Sequence, residues 1–205
     1  MRVLLVVAYG VEKGDYHEPD PLMRRVLDKG RKEYDRLSLQ EEEVVILITA
    51  GRDPNRSEKA ERDIVLAEIY KDHLCRAGVP AGDIITQPAL LFHTDGEMEA
   101  AVGWLASQES NTGVQEVLLC NKSWHLARTS ALFWIHRRRL GVKAPVRWIS
   151  VPDKNRRKIL RETGKFLRDL ARLAWRLVLR PLICPIWRMI RYNFIRLIRR
   201  ISKKT

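Results

Sequence analysis

The chain has 205 residues, 45% hydrophobic and 31% charged, a balance that excludes general disorder and suits one domain of roughly 150 residues with an extension. Its net charge of +13 is unevenly placed: 17 of the 38 Lys and Arg, but only two of the 25 Asp and Glu, follow Asp153. The first 153 residues are therefore near neutral and the last 52 are strongly basic, the pattern of a globular body with a basic binding appendage. Three widely spaced cysteines, Cys75, Cys120 and Cys184, form no CxxC pair, which argues against a zinc ribbon or a disulfide framework and fits a reducing compartment.

The chain opens on an apolar, β-branched run over residues 3–8, closed by Gly10. It is too short for a signal peptide and reads as a buried parallel strand. Pro21 fits the first turn of a helix reaching about Leu37. Residues 44–49 form a second strand and residues 55–77 a helix closed by Gly78 and Pro80. A short strand over 84–86 precedes a helix over 94–107, and a strand over 114–120 precedes a helix over 124–140, stopped by Gly141. A fifth strand covers 146–151, and Pro152-Asp153 marks a domain boundary, giving a body over 1–153 and an extension over 154–205. Five strands alternating with four helices imply an α/β fold: an open, mostly parallel, Rossmann-like sheet with helices on both faces. No stretch reaches the roughly 18 uncharged apolar residues of a transmembrane helix.

Ligands of such sheets sit outside the carboxyl ends of the strands. That rule selects residues 9–20, 51–55, 91–97 and 121–128, where the unusual polar clusters of the body fall. In the last segment Ser123 is placed to cap a helix, with His125 in its first turn and Arg128 one turn on. Backbone N–H groups at that end form an anion site, and Arg128 can grip the same phosphate or carboxylate, with Asn121 beside them. The helix dipole disfavours an imidazolium, leaving His125 as a general base or hydrogen-bonding group. A core histidine satisfied by a backbone carbonyl is the alternative. Thr94-x-x-Glu97 is a capping box, compatible with a ligand-facing threonine. Gly51 suits a tight turn with Arg52 exposed beside it, although neither glycine segment matches a P-loop or a GxGxxG fingerprint. His17-Glu18-x-Asp20 could hold a metal but reads more simply as a solvated loop, so no metal site is assigned. His73 and His136 read as ordinary helix residues.

Residues 118–129 read LLCNKSWHLART, which is similar to a strand followed by VTSxYHMPRA, with His125 and Arg128 shared and Trp124 in place of tyrosine. Thr49-Ala50-Gly51 is similar to SGG after a second strand, residues 77–80 to GVP before a third, and Thr94 with Glu97 to NTxEN. Arg24 or Arg25 matches an arginine early in the first helix. In this order the motifs make residues 1–152 resemble the YdcF/SanA/ElyC-like family of bacterial α/β proteins. His93, Met98, Asn121-Lys122 and Leu66 depart from its pattern. The resemblance implies a Rossmann-like pocket for a nucleotide-like or phosphorylated ligand, S-adenosylmethionine among the ligands, and roles in envelope polysaccharide or lipid-carrier metabolism.

In the extension Arg168, Arg172, Arg176 and Arg180 recur every four residues, within an arc of about 120° on a helix. Pro181 and Pro185 interrupt it, and a second basic amphipathic helix is expected over about 186–202. An anionic membrane surface accounts for both grease and charge. Trp175, Trp187 and Phe194 would enter the acyl boundary while Arg172, Arg176, Arg180, Arg188, Arg191 and Arg199 meet headgroups, at about 1 kcal/mol each. Nucleic-acid binding explains the charge but not the apolar excess, and packing on the body or a partner subunit is the bland alternative. The combined expectation is a peripheral protein on the cytosolic face of the membrane. Its body binds a phosphorylated or nucleotide-like small molecule, as an enzyme acting on an envelope precursor or as a non-catalytic sensor.

Overall fold

The computed structural model describes residues 1–7, 18–50, 66–88, 94–111 and 113–152, with isolated positions at 164, 167, 168 and 171. The chain divides into two compact units, Met1–Ile159 and Leu160–Thr205, and every described element belongs to the first. Five strands, β1 (Arg2–Val7), β2 (Val44–Ala50), β3 (Ile84–Pro88), β4 (Glu116–Lys122) and β5 (Val146–Val151), alternate with helices α1 (Pro21–Ser38), α2 (Leu66–Arg76), α3 (Thr94–Asn111) and α4 (Ser123–Leu140). All strand pairs are parallel, in the order β3-β2-β1-β4-β5. The chain winds outward from β1 through β2 to β3, then returns to the other side of β1 for β4 and β5. The winding reverses between β1 and β4, and their carboxyl ends flank the crevice where doubly wound sheets bind ligands.

The continuous apolar run of β1 follows from cover on both faces. Leu4, Val6, Ile46, Ile48, Leu118 and Cys120 pack with Met23, Val26 and Leu27 of α1 and with Tyr70 and Leu74 of α2. The alternate residues Leu5, Leu47 and Leu119 are equally buried on the face that α3 and α4 cover. Local chemistry sets the helix ends. Asp20 caps α1, its Oδ1 accepting from Leu22 N and Met23 N at 2.9 Å, with Pro21 as first helical residue. Gly78, at φ 96°, closes α2 while Val79 N donates to Leu74 O and Gly78 N to Cys75 O. Gly141, at φ 75°, does the same for α4.

One boundary differs from the sequence reading in a way that matters. The fourth strand does not stop at Cys120: Asn121 and Lys122 continue it, paired with Ser150 and Val151 of β5. Their polarity suggested a loop, but pairing supplies the backbone partners that a loop would have to find elsewhere. α3 runs on to Asn111, and α2 is described from Leu66, leaving 55–65 outside the described residues.

Candidate functional site

Because Asn121 and Lys122 are strand residues, their side chains leave opposite faces of the sheet. Lys122 shares the α1 face with Cys120, and Asn121 shares the α3–α4 face with Leu119. Lys122 is 2% exposed, and its Nζ lies 3.3 Å from Oδ2 of Asp20, a side chain 25% exposed. The same carboxylate thus caps α1 with one oxygen and holds the buried ammonium with the other. Trp124 adds its ring face, with Nζ 5.8 Å from the centroid. Asn121 is fully buried, and its Oδ1 accepts from Lys122 N at 2.7 Å. Its Nδ2 has no hydrogen-bond partner among the described residues, nor has Oγ1 of the buried Thr49 near the end of β2.

α4 starts without the expected cap. Ser123 is its first helical residue, and the cap position belongs to Lys122, whose side chain makes no capping bond. β4 runs directly into α4, so the extended backbone of residue 122 (φ −62°, ψ 140°) occupies the cap position and Ser123 cannot. His125 and Arg128 follow on a stripe of buried residues that continues through Thr129, Leu132, Phe133 and His136. The His125 ring is 5.4 Å from that of Trp124, and Thr129 Oγ1 donates to His125 O at 3.1 Å. His125 and Arg128 therefore share the inward side of α4, as their spacing implied, and neither faces open solvent.

The other expected residues disperse. Arg24 donates through Nε to Pro19 O at 3.0 Å, at the entrance of α1 beside Asp20. Arg25 is exposed and reaches Pro152 O at 3.2 Å, beyond β5, where Lys29 Nζ also holds Ser150 O at 2.8 Å. Of the two arginines, only Arg24 stands at the junction. Thr94 and Glu97 are buried in the first turn of α3, where Thr94 is the first helical residue and the cap position falls at 93, outside the described residues. Between them Asp95 meets His136 Nε2 at 2.7 Å, and Glu99 meets Arg139 at 2.6 Å. These contacts fix the start of α3 against the second half of α4. At about 1.5 Å rise per residue, His136 lies about 16 Å along α4 from His125. Asp95 and Glu99 of α3 thus face the second half of α4. Glu18 goes to Arg76 Nη1 at 2.6 Å while Asp20 goes to Lys122, so these two acids do not converge. Gly10, His17, Gly51, Arg52 and His93 lie outside the described residues, as do Arg172, Trp175, Arg176, Arg180, Trp187, Arg188, Arg191, Phe194 and Arg199 of the extension. No helix among the described residues is long and apolar enough to cross a membrane.

Two features escaped the sequence reading: the Asp20–Lys122 pair and the Asp95–His136 pair. A signal for the second existed, since His125, Thr129, Leu132 and His136 recur at helical spacing on one stripe. Nothing local announced the first, whose partners are 102 positions apart. Cys120, buried under Val26 O, has its thiol pushed up to about 12 by burial, so it is packing and not chemistry.

No family model matches the chain, and no curated protein matches it. Among solved structures, a universal stress protein in complex with cAMP is similar at 16% identity with a TM-score of 0.36, over 72% of this chain and 96% of that one. So loose a superposition bears on neither ligand nor chemistry. The class of this protein, an open doubly wound α/β unit, follows from its own strand order and register.

Proposed function

We propose that the α/β unit binds a phosphorylated or nucleotide-like small molecule at the carboxyl ends of β1 and β4. The observation that carries this reading is Asn121: a fully buried amide whose Nδ2 no described group satisfies, placed at the winding reversal where β4 runs into α4. Natural interiors rarely leave a buried donor unused, and functional sites are prominent among the exceptions. Thr49 Oγ1, near the end of the strand on the other side of β1, adds a second such group. A phosphate supplies acceptor oxygens for the Asn121 amide at a helix start, the end of a helix that favours anions.

Complete burial of His125 favours binding over catalysis, because a general base must come within about 3 Å of the proton it removes. The catalytic version, an enzyme acting on an envelope polysaccharide or lipid-carrier precursor, rests on the family resemblance of residues 1–152; a ligand of the S-adenosylmethionine type rests on it too. The test is calorimetric titration of the full chain with a nucleoside diphosphate. Saturable binding is expected, weakened at least tenfold in Arg128→Gln with the melting temperature checked alongside. Absence of saturable binding to the unaltered chain sinks the reading.

The basic extension adds a place of work. Its arginines and interleaved Trp, Phe and Ile fit an anionic membrane surface at the cytosolic face. Flotation with vesicles containing anionic phospholipid should recover the full chain and leave a chain ending at Ile159 in solution. Equal flotation of both removes the membrane role, and salt-sensitive retention on nucleic acid without flotation replaces it.

A further inference from the structure

Resting on the binding reading above, we propose that Thr49 selects the organic part of the ligand. Its hydroxyl pairs with an uncharged hydroxyl on the group that the phosphate esterifies, while Asn121 holds the phosphate. The ligand then lies across β1, from β4 to β2, and its class is a phosphate ester of a hydroxyl-bearing organic group.

Register puts the two residues in one row. Thr49 is level with Val7 and Gln87, Asn121 is level with Ser150, and Val7 and Asn121 are level one position beyond the pair Val6–Cys120. Level residues of parallel strands share a face, so this row lies on the face that α3 and α4 cover. Two residues earlier on the same face the row reads Ile85–Leu47–Leu5–Leu119–Trp148 and is apolar throughout. Polarity on this face therefore begins at the carboxyl end of the sheet, where doubly wound folds bind ligands. Thr49, Val7 and Asn121 are fully buried, and neither Thr49 Oγ1 nor Asn121 Nδ2 has a hydrogen-bond partner among the described residues. One such orphan is a packing compromise in many proteins. Two of them on one face, in one row, point to a common partner.

Spacing sets the chemistry of that partner. Strands stand about 4.8 Å apart, so two strand steps separate Thr49 from Asn121 by about 10 Å, and side chains standing off one face keep roughly that separation. A hydrogen bond of about 3 Å at each end leaves about 4 Å between the two bonding atoms of the ligand. That exceeds the distance between two oxygens of one phosphate, so the atoms belong to different groups a few bonds apart. The Asn121 amide donates, which suits a phosphate oxygen. Thr49 is uncharged, and beside Val7 an ion without a counter-charge is costly. Its hydroxyl both donates and accepts, as a ligand hydroxyl does. Val7, between the two, gives the intervening carbon atoms an apolar floor.

The experiment titrates the full chain, Thr49→Val and Thr49→Ser calorimetrically with adenosine diphosphate and with inorganic phosphate. Valine keeps the shape of threonine and removes only the orphaned hydroxyl, so the fold should survive by thermal melting. Should it not, Thr49→Ala carries the same comparison. Adenosine diphosphate should bind Thr49→Val about tenfold or more weakly than the unaltered chain, and Thr49→Ser, which keeps the hydroxyl, within about threefold of it. All three proteins should treat inorganic phosphate alike. Equal binding of adenosine diphosphate by the unaltered chain and Thr49→Val overturns the role of Thr49 and leaves the binding reading standing. So does a loss of inorganic phosphate binding as large as that of adenosine diphosphate, because the hydroxyl then touches the phosphate itself. Failure of the unaltered chain to bind adenosine diphosphate overturns both.

Discussion

Among the described residues, Asp95–His136 and Asp20–Lys122 each join an acid to a buried basic side chain, and they differ in where they stand. Asp95–His136 joins α3 to α4 with both side chains at most 3% exposed, about 20 Å along α4 from its start. Asp20–Lys122 joins α1 to the end of β4, at the winding reversal, with its acidic partner one quarter exposed. Each brings a carboxylate to a nitrogen, at 2.7 Å in the first and 3.3 Å in the second. What differs is access to solvent. The first pair is enclosed between helices and acts as a polar contact specifying how they pack. The second stands at the winding reversal, with its carboxylate partly open to solvent. A buried charge alone is weak evidence for a site, and its position relative to the strand ends decides which kind it is.

Stability measurements can break this contrast. His136→Leu takes the imidazole away from the buried Asp95 carboxylate and should cost about 3 kcal/mol, read as a lowered urea midpoint. Adding Asp95→Leu should recover much of that loss, because the stranded charge disappears. Lys122→Met should cost only about 1 kcal/mol, since Asp20 retains its α1 bonds and partial access to water. Equal costs for His136→Leu and Lys122→Met would erase the distinction between the two pairs.

A third ion-pair system, on the surface, gives the lower bound. Hydrogen bonds from Arg36 and Arg147 hold the Glu33 carboxyl below its ordinary value of 4.5, against the opposing effect of partial burial. A lowered carboxyl pKa stabilises the fold above the unfolded-state value, and that stability is lost as pH falls through the folded-state value. Glu33→Gln should therefore cost under about 1 kcal/mol at pH 7, with the difference from the unaltered chain closing below about pH 4. A difference that persists undiminished in acid would mean that Glu33 acts by packing and not by charge.

Much of the secondary structure was legible because its determinants are local. The runs of β1 and β2 had to be apolar throughout to be covered on both faces, and Pro21, Gly78 and Gly141 mark helix ends by backbone chemistry alone. His125 and Arg128 were legible as a pair for the same reason, since three positions on a helix share a face wherever the helix goes. Ser123 misled because it has the right side chain for a cap while the strand before it continues two residues further than its polarity suggests.

By itself, then, the sequence determined an alternating α/β unit, its helix stops, its neutral body and basic extension, and the turn of α4 that carries His125 and Arg128. Only the tertiary structure decided that β4 pairs on the far side of β1, that Lys122 points to Asp20 while Asn121 points the other way, and that His136 takes the carboxylate of Asp95. The physical reason is range. Propensity, capping and periodicity act over a few residues, whereas a buried charge selects its partner from whatever the fold brings within about 3 Å, here 102 and 41 positions away.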